Sequence, residues 1–190
     1  MASPKALVRH ARREDIPAIL GLIKELADYE RELHSVEATE QTLRSTIAFA
    51  PSELSSGEPT WDAQGLPITD QVSPSRPARC LLLFNPESKA VGMALYFYNY
   101  STWRAKPGIY LEDLYVSPSE RKKGYGVQLL VTLAKEVVAM DGGRLDWSVL
   151  KWNEPSIKFY QDVVGATRME DWVGMRVDRE ALVKLSKMLD

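Results

Sequence analysis

The sequence predicts an α/β protein with a mixed, mostly antiparallel central sheet flanked by helices. Three observations lead to this prediction. Apolar residues recur at helical spacing in residues 16–27, 39–49 and 127–137. Short strand-like runs rich in Leu, Val and aromatic residues lie between and after them. Most of these runs follow one another across turns, which favours antiparallel pairing, and the interleaved helices favour a layered α/β arrangement.

The amino-terminal part is expected to contain one strand and two helices. Residues 6–11 alternate loosely as a strand. Residues 16–27 form one apolar stripe, and Asp15 before them is the expected helix cap. Residues 39–49 predict a second helix, for which Thr39 is a suitable cap.

A segment of different composition, residues 51–79, follows the second helix. It is rich in Pro, Ser, Gly and Thr and shows no apolar period. This composition predicts a long mobile insertion. A loop of this length can cover a site, but the favoured interpretation is a solvent-exposed loop without a role in a site.

The remaining part of the chain is predicted to be rich in strands. Strands are expected at residues 79–84, 90–100, 110–116, 144–150, 166–169 and 172–177. Helices are expected from Gly124-Tyr125-Gly126 onward, over 153–164, and over 179–189 with Leu182, Leu185 and Leu189 facing inward.

Composition excludes several classes of function. At 190 residues the chain is expected to be one domain, residues 1–190, and its net charge of −2 argues against general nucleic-acid or anionic-membrane binding. The single Cys80 excludes an intrachain disulfide, and neither His10 nor His34 has a pattern typical of a metal site or catalytic triad. No apolar run approaches the length of a membrane span. We therefore expect a cytoplasmic protein without a metal.

An anion-binding turn is predicted after the strand at 110–116. Three basic residues, 121–123, precede Gly124-Tyr125-Gly126, which begins a helix. Backbone amides at a helix start and nearby cations suit a phosphate or pyrophosphate. Val127 stands where a P-loop needs Lys, and the glycine spacing of a dinucleotide-binding fold is missing. A surface turn with solvated charges is the alternative.

A second group of candidate residues follows the strand at 144–150. Asn153 is a strong helix cap, and Tyr160 lies one helical turn past Ser156 on the same face. A phenol at that position can serve a bound ligand, although a packed aromatic is the alternative.

Four motifs in this order resemble a known family. They are Leu-Ile-Lys-Glu-Leu-Ala-Asp-Tyr-Glu at 22–30, Tyr-Leu-Glu-Asp-Leu-Tyr-Val at 110–116, Arg-Lys-Lys-Gly-Tyr-Gly at 121–126 and Trp-Asn-Glu-Pro-Ser-Ile-Lys-Phe-Tyr at 152–160. Together they resemble the diamine acetyltransferases of the GNAT superfamily, meaning the spermidine/spermine group and its thialysine-acetylating relatives. The resemblance spans nearly the whole chain apart from residues 51–79. It implies the GNAT acyl-CoA N-acyltransferase fold, acetyl-CoA as cosubstrate and a homodimer.

The resemblance also implies roles for individual residues. Tyr160 would be the general acid that protonates the departing thiolate, and Glu112 the general base on the amine. Contacts to the coenzyme would come from Leu114, Tyr115, Val116, Arg121, Lys122, Lys123, Gly124, Tyr125, Gly126, Val127, Asn153 and Ser156. Contacts to the amine would come from Tyr29, Glu30, Glu112 and Asp171.

The expected function is acetyl transfer from acetyl-CoA to a primary amine of a small di- or polyamine or a lysine-like amino acid, by direct attack on the thioester. The chain departs from the family pattern in three places. Lys122 replaces the family's usual glycine, which adds charge at some loss of backbone freedom. Ser101 stands where mammalian polyamine enzymes carry an acidic residue, and the acidic segment Glu170-Asp171-Trp172 is shorter than theirs, so the exact amine is left open. Two alternatives also remain. One is acetylation of proteins or peptides, and the other is a non-catalytic coenzyme A-binding module.

Overall fold

The computed structural model describes residues 6–54 and 58–189. Two compact units make up the chain, residues 1–148 and residues 149–190. Within the described residues, the first unit contains a sheet and three α-helices, and the second contains two short α-helices joined by irregular chain.

A single sheet forms the centre of the first unit. Its strands, in spatial order, are β1 Leu7–His10, β2 Arg79–Phe84, β3 Ala90–Ser101, β4 Lys106–Val116 and β5 Leu145–Trp147. The pairs β1–β2, β2–β3 and β3–β4 are antiparallel, and β4–β5 is parallel. The predicted mixed, mostly antiparallel sheet is confirmed. β4 begins four residues before the predicted start because its hairpin with β3 continues to a Ser101–Lys106 pair, and β5 covers only part of the predicted 144–150.

Two helices, α1 (Ile16–Tyr29) and α2 (Glu40–Thr46), pack against this sheet. Their apolar residues join those of the strands in one buried cluster that includes Ile16, Ile19, Leu22, Leu43, Cys80, Leu82 and Met93. Thr39 caps α2 as predicted, because its hydroxyl accepts from the Thr42 amide at 3.1 Å. The helix then ends at Thr46, and Ile47 to Ala50 are buried in extended chain.

Asp15 precedes α1 but does not cap it with its side chain. Its carboxylate instead binds the Arg9 guanidinium at 2.6 Å and the backbone amide of Arg12 at 2.7 Å. The predicted cap therefore ties β1 to the start of the helix.

The third helix, α3 (Tyr125–Ala139), also packs against the sheet. The helical spacing predicts an inward stripe of Val127, Leu130, Val131, Ala134 and Val137; of these Leu130 and Val137 are buried, whereas Val131 and Ala134 are exposed. Leu129 and Leu133 are buried instead, so the buried stripe is rotated from the predicted one. Glu136 lies on the buried side and is fully enclosed.

The described part of the insertion, within residues 51–79, is anchored to the rest of the first unit by contacts that its composition did not predict. Thr60 is fully buried, and its hydroxyl accepts from the His10 amide at 2.9 Å. The Trp61 ring lies 4.8 Å from the His10 ring, centroid to centroid. Asp70 binds the Arg13 guanidinium, and the Asp70 amide donates to a backbone carbonyl at 2.8 Å. These anchors are polar and aromatic, and therefore left no apolar period in the sequence.

A hydrogen-bond chain joins the insertion to α3. Tyr96 donates to Glu136 at 2.7 Å, so its oxygen accepts from His10 Nε2 at 2.9 Å. His10 Nδ1 consequently carries no proton and accepts from the Thr60 hydroxyl at 3.0 Å. Burial, and then Arg79, lowers the pKa of His10 to about 3. A neutral His10 thus serves packing, and the chain Thr60–His10–Tyr96–Glu136 is hereafter the buried relay.

The second unit contains α4 (Glu154–Phe159), a π-helical turn at Tyr160–Val164 and α5 (Arg179–Ser186). The strands predicted at 166–169 and 172–177 are wrong, because those residues form no ladder in the described structure. Leu182, Leu185 and Leu189, predicted to face inward, are exposed. Alternating apolar residues form a strand only when a neighbouring strand is available. None of the helices in the described ranges is both long and apolar enough to span a bilayer.

Candidate active site

A β-bulge shapes the middle of β4. Leu95 of β3 pairs with Asp113, but the next residue, Tyr96, pairs with Leu111. Glu112 is therefore the extra residue of the bulge, and its side chain is exposed. Such bulges re-aim side chains and are over-represented next to active sites.

The end of β4 also offers an open edge. β5 pairs with β4 over Ile109–Leu111, and β4 continues to Val116. Among the described strands, Leu114, Tyr115 and Val116 thus have β3 on one side and no strand on the other. An extended ligand can add to such an edge through backbone hydrogen bonds.

Three carboxylates interact at the bulge. Burial, then Glu112 and then Glu30, raises the pKa of Asp113 to about 6. Burial also raises the pKa of Glu30, which follows directly after α1. Since the carboxylates repel one another, a cation bound between them would be stabilised. The structure therefore brings together Glu30 and Glu112, two predicted amine contacts, around Asp113.

The predicted anion-binding turn follows a short 3-10 helix, Pro118–Glu120, and leads into α3. Gly124 is the residue before the helix, with a left-handed φ of 80° and no side-chain cap. Lys122 is also left-handed, with φ of 64°, although a side chain disfavours that conformation. A Cβ on Gly124 would meet no atom within 4 Å, so the space before the helix is open. First-turn amides of α3 therefore face a site suited to an anion.

Two of the three basic side chains in this turn contact the protein itself. Lys123 Nζ lies 2.7 Å from a Glu120 carboxylate oxygen. The Arg121 guanidinium lies over the Tyr29 ring, 5.1 Å from its centroid, and 5.8 Å from that of Tyr115. Its Nε donates to the Val116 carbonyl at 3.0 Å. Arg121 and Lys123 thus contact neighbouring protein groups while remaining exposed.

Tyr125, Gly126 and Val127 form the first turn of α3. Tyr125 is buried, and the other two are half-buried. They hold the helix start against the first unit and leave Gly124 exposed at its tip.

The second unit carries the other predicted residues. Asn153 caps α4 as predicted, because its side-chain oxygen accepts from the Ser156 amide at 3.4 Å. Tyr160 follows α4 as the first residue of the π-helical turn and is half-buried, with its ring 5.3 Å from that of Phe159. Asp171 lies in an exposed turn.

Comparison with known proteins decides the family. Residues 48–166, more than half of the chain, match the acetyltransferase (GNAT) family. The chain belongs to the GNAT family. It is therefore an N-acetyltransferase with the GNAT fold.

Curated GNAT relatives cover nearly the whole chain. It is 31% identical to L-ornithine N5-acetyltransferase NATA1 of Arabidopsis thaliana, over 95% of this chain and 88% of the relative. It is 30% identical to thialysine N-epsilon-acetyltransferase of Mus musculus, over 98% and 99%. Spermidine/spermine N(1)-acetyltransferase-like protein 1 of Homo sapiens is 29% identical over 94% of this chain, which spans 23% of that longer protein.

Solved structures show the same GNAT architecture. An integron cassette protein of V. cholerae superposes with a TM-score of 0.69 at 24% identity, covering 96% of this chain and 98% of that one. An aminoglycoside acetyltransferase from soil metagenomic DNA, solved with sisomicin, gives 0.64 at 14% identity over 92% and 97%. At these identities the likeness concerns the fold alone.

Several features of this GNAT site were not predicted from the sequence. Neither the bulge at Glu112 nor the packing of Arg121 on Tyr29 leaves a local signal, because both depend on contacts between distant segments. Glu25 was also missed, although it lies one helical turn before Tyr29. Its carboxylate accepts from the Ser117 hydroxyl at 2.9 Å.

Proposed function

We propose that this protein transfers the acetyl group of acetyl-CoA to a primary amine of a small di- or polyamine or a lysine-like amino acid. The observation that carries the proposal is the group of three carboxylates, Glu30, Glu112 and Asp113, at the bulge of β4. Two of its members, Glu112 and Asp113, lie on β4, the strand that precedes the anion-binding turn. One strand thus joins a site for a cation to a site for an anion.

The coenzyme side is supported by the geometry of the turn and of the strand edge. The open space before Gly124 and the first-turn amides of α3 suit a pyrophosphate. Arg121 to Val127 would hold it. The free edge of β4 at Leu114, Tyr115 and Val116 suits the extended, amide-containing pantetheine arm.

The amine side is supported by charge. An alkylammonium has a pKa near 10.4, so it arrives as a cation and must lose a proton before it can attack. Glu112 is the proposed base, acting through water, because it is the exposed member of the three carboxylates. Asp113 and Glu30, together with Tyr29, would hold the positive end of the substrate.

The proposed reaction is a direct transfer. The amine nitrogen forms a bond to the thioester carbonyl carbon, and the carbon–sulfur bond then breaks. The proton lost by the ammonium passes to Glu112 and on to solvent, and the departing thiolate takes a proton from Tyr160. The nitrogen loses its second proton as the amide forms, and Tyr160 regains a proton by way of solvent. Backbone amides at the free edge of β4 would stabilise the negative charge on the carbonyl oxygen. Tyr160 is assigned on its motif, with Asn153 and Ser156 as coenzyme contacts.

The substrate class follows from the carboxylates and from the names of the relatives. Ornithine and thialysine, named for two of them, each carry two amino groups. A carboxylate-lined site favours an amine with a second positive charge over a monoamine, because an unpaired carboxylate in a partly desolvated site is costly. Asp171, exposed in the second unit, is kept as a further proposed amine contact.

Release of coenzyme A thiol during incubation with acetyl-CoA and an amine panel tests the function. The panel consists of L-ornithine, thialysine, 1,4-diaminobutane, spermidine and butylamine. We expect the diamino compounds to react and butylamine to react at least about tenfold less well. Equal kcat/KM for 1,4-diaminobutane and butylamine would contradict the proposed substrate class. Acetylation of a lysine peptide alone would favour the protein-acetylating alternative.

Tyr160→Phe tests the proposed proton donor. We expect turnover to fall about 100-fold, the usual scale for a lost acid–base group, while calorimetry shows nearly unchanged binding of acetyl-CoA. Tyr100→Phe, at an exposed tyrosine of β3, is the matched control and should retain full turnover. Unchanged single-turnover rates in Tyr160→Phe would assign that residue to packing.

We further propose that both units belong to one catalytic domain and that the protein is a cytoplasmic homodimer. Exposed apolar side chains in the second unit support the dimer, among them Val173 at 81% and Met175 at 90% exposure. Light scattering after size-exclusion chromatography would show twice the chain mass. A monomeric mass at micromolar concentration would contradict the dimer.

A further inference from the structure

Three contacts join the last turns of α1 to the end of β4 and the turn that follows. The Arg121 guanidinium stacks on the Tyr29 ring of α1. The Glu25 carboxylate of α1 accepts from the Ser117 hydroxyl at 2.9 Å. The phenol of Tyr115 also lies against both Glu25 and Arg121. Glu25, Tyr29, Tyr115 and Arg121 are hereafter the Arg121 clamp.

Arginine is suited to this position by its shape as well as by its charge. Its planar guanidinium can lie on an aromatic face and still donate in its own plane. Here the guanidinium lies near the rings of both Tyr29 and Tyr115, and the Arg121 Nε donates to the Val116 carbonyl at 3.0 Å. A lysine would retain the charge but not this combination of contacts.

The clamp lies between the two proposed ligand sites. On one side, Tyr29 is the last residue of α1, and Glu30 of the carboxylate group follows it. On the other side, Arg121 opens the turn proposed to hold the coenzyme pyrophosphate. Arg121 and Glu25 are both exposed, so each contact is weak and can rearrange when a ligand binds.

We propose that Arg121 is a positioning residue that couples the binding of coenzyme A to the binding of the amine. Occupation of the turn fixes Arg121, Arg121 fixes Tyr29, and the end of α1 is thereby held where Glu30 meets the amine. By linkage, the amine strengthens coenzyme binding by the same factor. This inference rests on the proposed function, because it takes both ligand sites from it.

Calorimetric binding of 1,4-diaminobutane, with and without saturating coenzyme A, measures the coupling directly and requires no turnover. We expect the parent to bind the diamine at least about fivefold more tightly when coenzyme A is present. In Arg121→Lys and in Glu25→Gln this ratio should fall close to one. Coenzyme A affinity should fall in Arg121→Lys, which alters a proposed pyrophosphate contact, but should stay within about threefold of the parent in Glu25→Gln, which leaves the turn unchanged. Lys24→Gln, at the exposed neighbour of Glu25, is the matched control and should keep the parent ratio.

Two results would overturn the inference. One is a parent-like ratio in both Arg121→Lys and Glu25→Gln. The other is a loss of coenzyme A affinity of more than about tenfold in Glu25→Gln, because Glu25 would then act on coenzyme binding itself and not on its coupling to the amine.

Hydrogen exchange of the amides in residues 26–30 separates this inference from the proposed function. Coenzyme A alone should slow their exchange in the parent and in Lys24→Gln, but not in Arg121→Lys or Glu25→Gln. If this pattern holds while no amine of the panel is acetylated, the proposed function fails and the clamp stands. If coenzyme A binds the parent without slowing these amides, the clamp is contradicted whether or not amines react.

Discussion

Glu136 and Asp113 are two carboxylates withdrawn from solvent in the same unit, but their surroundings are opposite. Glu136 is fully buried and accepts hydrogen bonds from Tyr96 and Tyr98, each at 2.7 Å. Asp113 is half-buried and faces the negative charge of Glu112 and Glu30. Burial raises the pKa of both groups, but the tyrosines counteract this at Glu136, whereas the neighbouring carboxylates add to it at Asp113.

This difference distinguishes a structural carboxylate from one that is ready to bind a ligand. A buried group whose hydrogen-bonding capacity is met by the protein stabilises one arrangement of the chain. A group of carboxylates that repel one another lowers stability until a cation arrives. The first should respond to substitution mainly in stability, and the second mainly in activity.

The largest effect is expected from Glu136→Leu. The substitution leaves the hydroxyls of Tyr96 and Tyr98 without their acceptor in a buried site, and each unsatisfied donor is costly. We expect the free energy of unfolding to fall by about 3 kcal/mol, measured by urea denaturation. Lys135→Gln, at an exposed position of the same helix, is the control and should change it by less than about 0.5 kcal/mol. Equal stability of Glu136→Leu and the parent would contradict a structural role for Glu136.

Asp113→Asn should show the opposite pattern. Removing the charge relieves the repulsion from Glu112 and Glu30, so the free energy of unfolding at pH 8 should rise, by about 1 kcal/mol. The kcat/KM for 1,4-diaminobutane should fall about tenfold or more, because the site loses a charge that the cation needs. If Asp113→Asn loses stability and retains activity, Asp113 is a structural carboxylate like Glu136.

The pH dependence of stability sharpens the same contrast. The pKa of Asp113 is about 6 in the folded protein and near 3.8 in the unfolded chain, so between these values the folded state binds more protons. Stability relative to Asp113→Asn should therefore fall as pH rises from about 4 to 6 and stay low above 6. Parallel urea titrations at pH 4.5 and 7.5 check this. Kinetic assays over the same pH range should show that KM for the diamine rises as pH falls through 6, since a protonated Asp113 no longer attracts the cation.

The smallest effect is expected at the far end of the buried relay. Thr60→Val removes the hydroxyl that donates to His10 and accepts from its amide. We expect a loss of about 1 kcal/mol, whereas Thr60→Ser, which keeps the hydroxyl, should lose less. Thermal denaturation of the two variants side by side measures the difference. Equal losses would mean that the methyl group, and not the hydrogen bonds, anchors the insertion.

Local chemistry made much of the fold predictable. The strand ending at Val116, the start of α3 at Gly124-Tyr125-Gly126 and the cap at Asn153 were all predicted from turn residues and apolar spacing. These signals act over a few residues, and the structure confirms each of them.

Contacts between distant segments set the limit of that approach. The bulge at Glu112 depends on how β4 lies against β3, and the burial of Glu136 depends on tyrosines 38 and 40 residues earlier. The strands predicted at 166–169 and 172–177 are wrong for a related reason. Alternating apolar residues indicate which face of a strand would be buried, but they do not show whether a neighbouring strand is available to pair with it. In the candidate site, Glu112 and Arg121 were selected from the sequence. The bulge around Glu112 and the contact between Arg121 and Tyr29 were not predicted.

The buried relay also bears on how this protein folds. Its hydrogen bonds join residues separated by 50, 86 and 40 positions, so they cannot form within any single hairpin or helix. Until the insertion, β3 and α3 have all docked, removal of water from Glu136 opposes collapse, because the hydrogen bonds that compensate for it have not yet formed. We therefore expect the relay to form after the folding transition state, with substitutions at Thr60 and Glu136 accelerating unfolding more than they slow refolding. The residues that most firmly hold the finished molecule together would then be among the last to find one another.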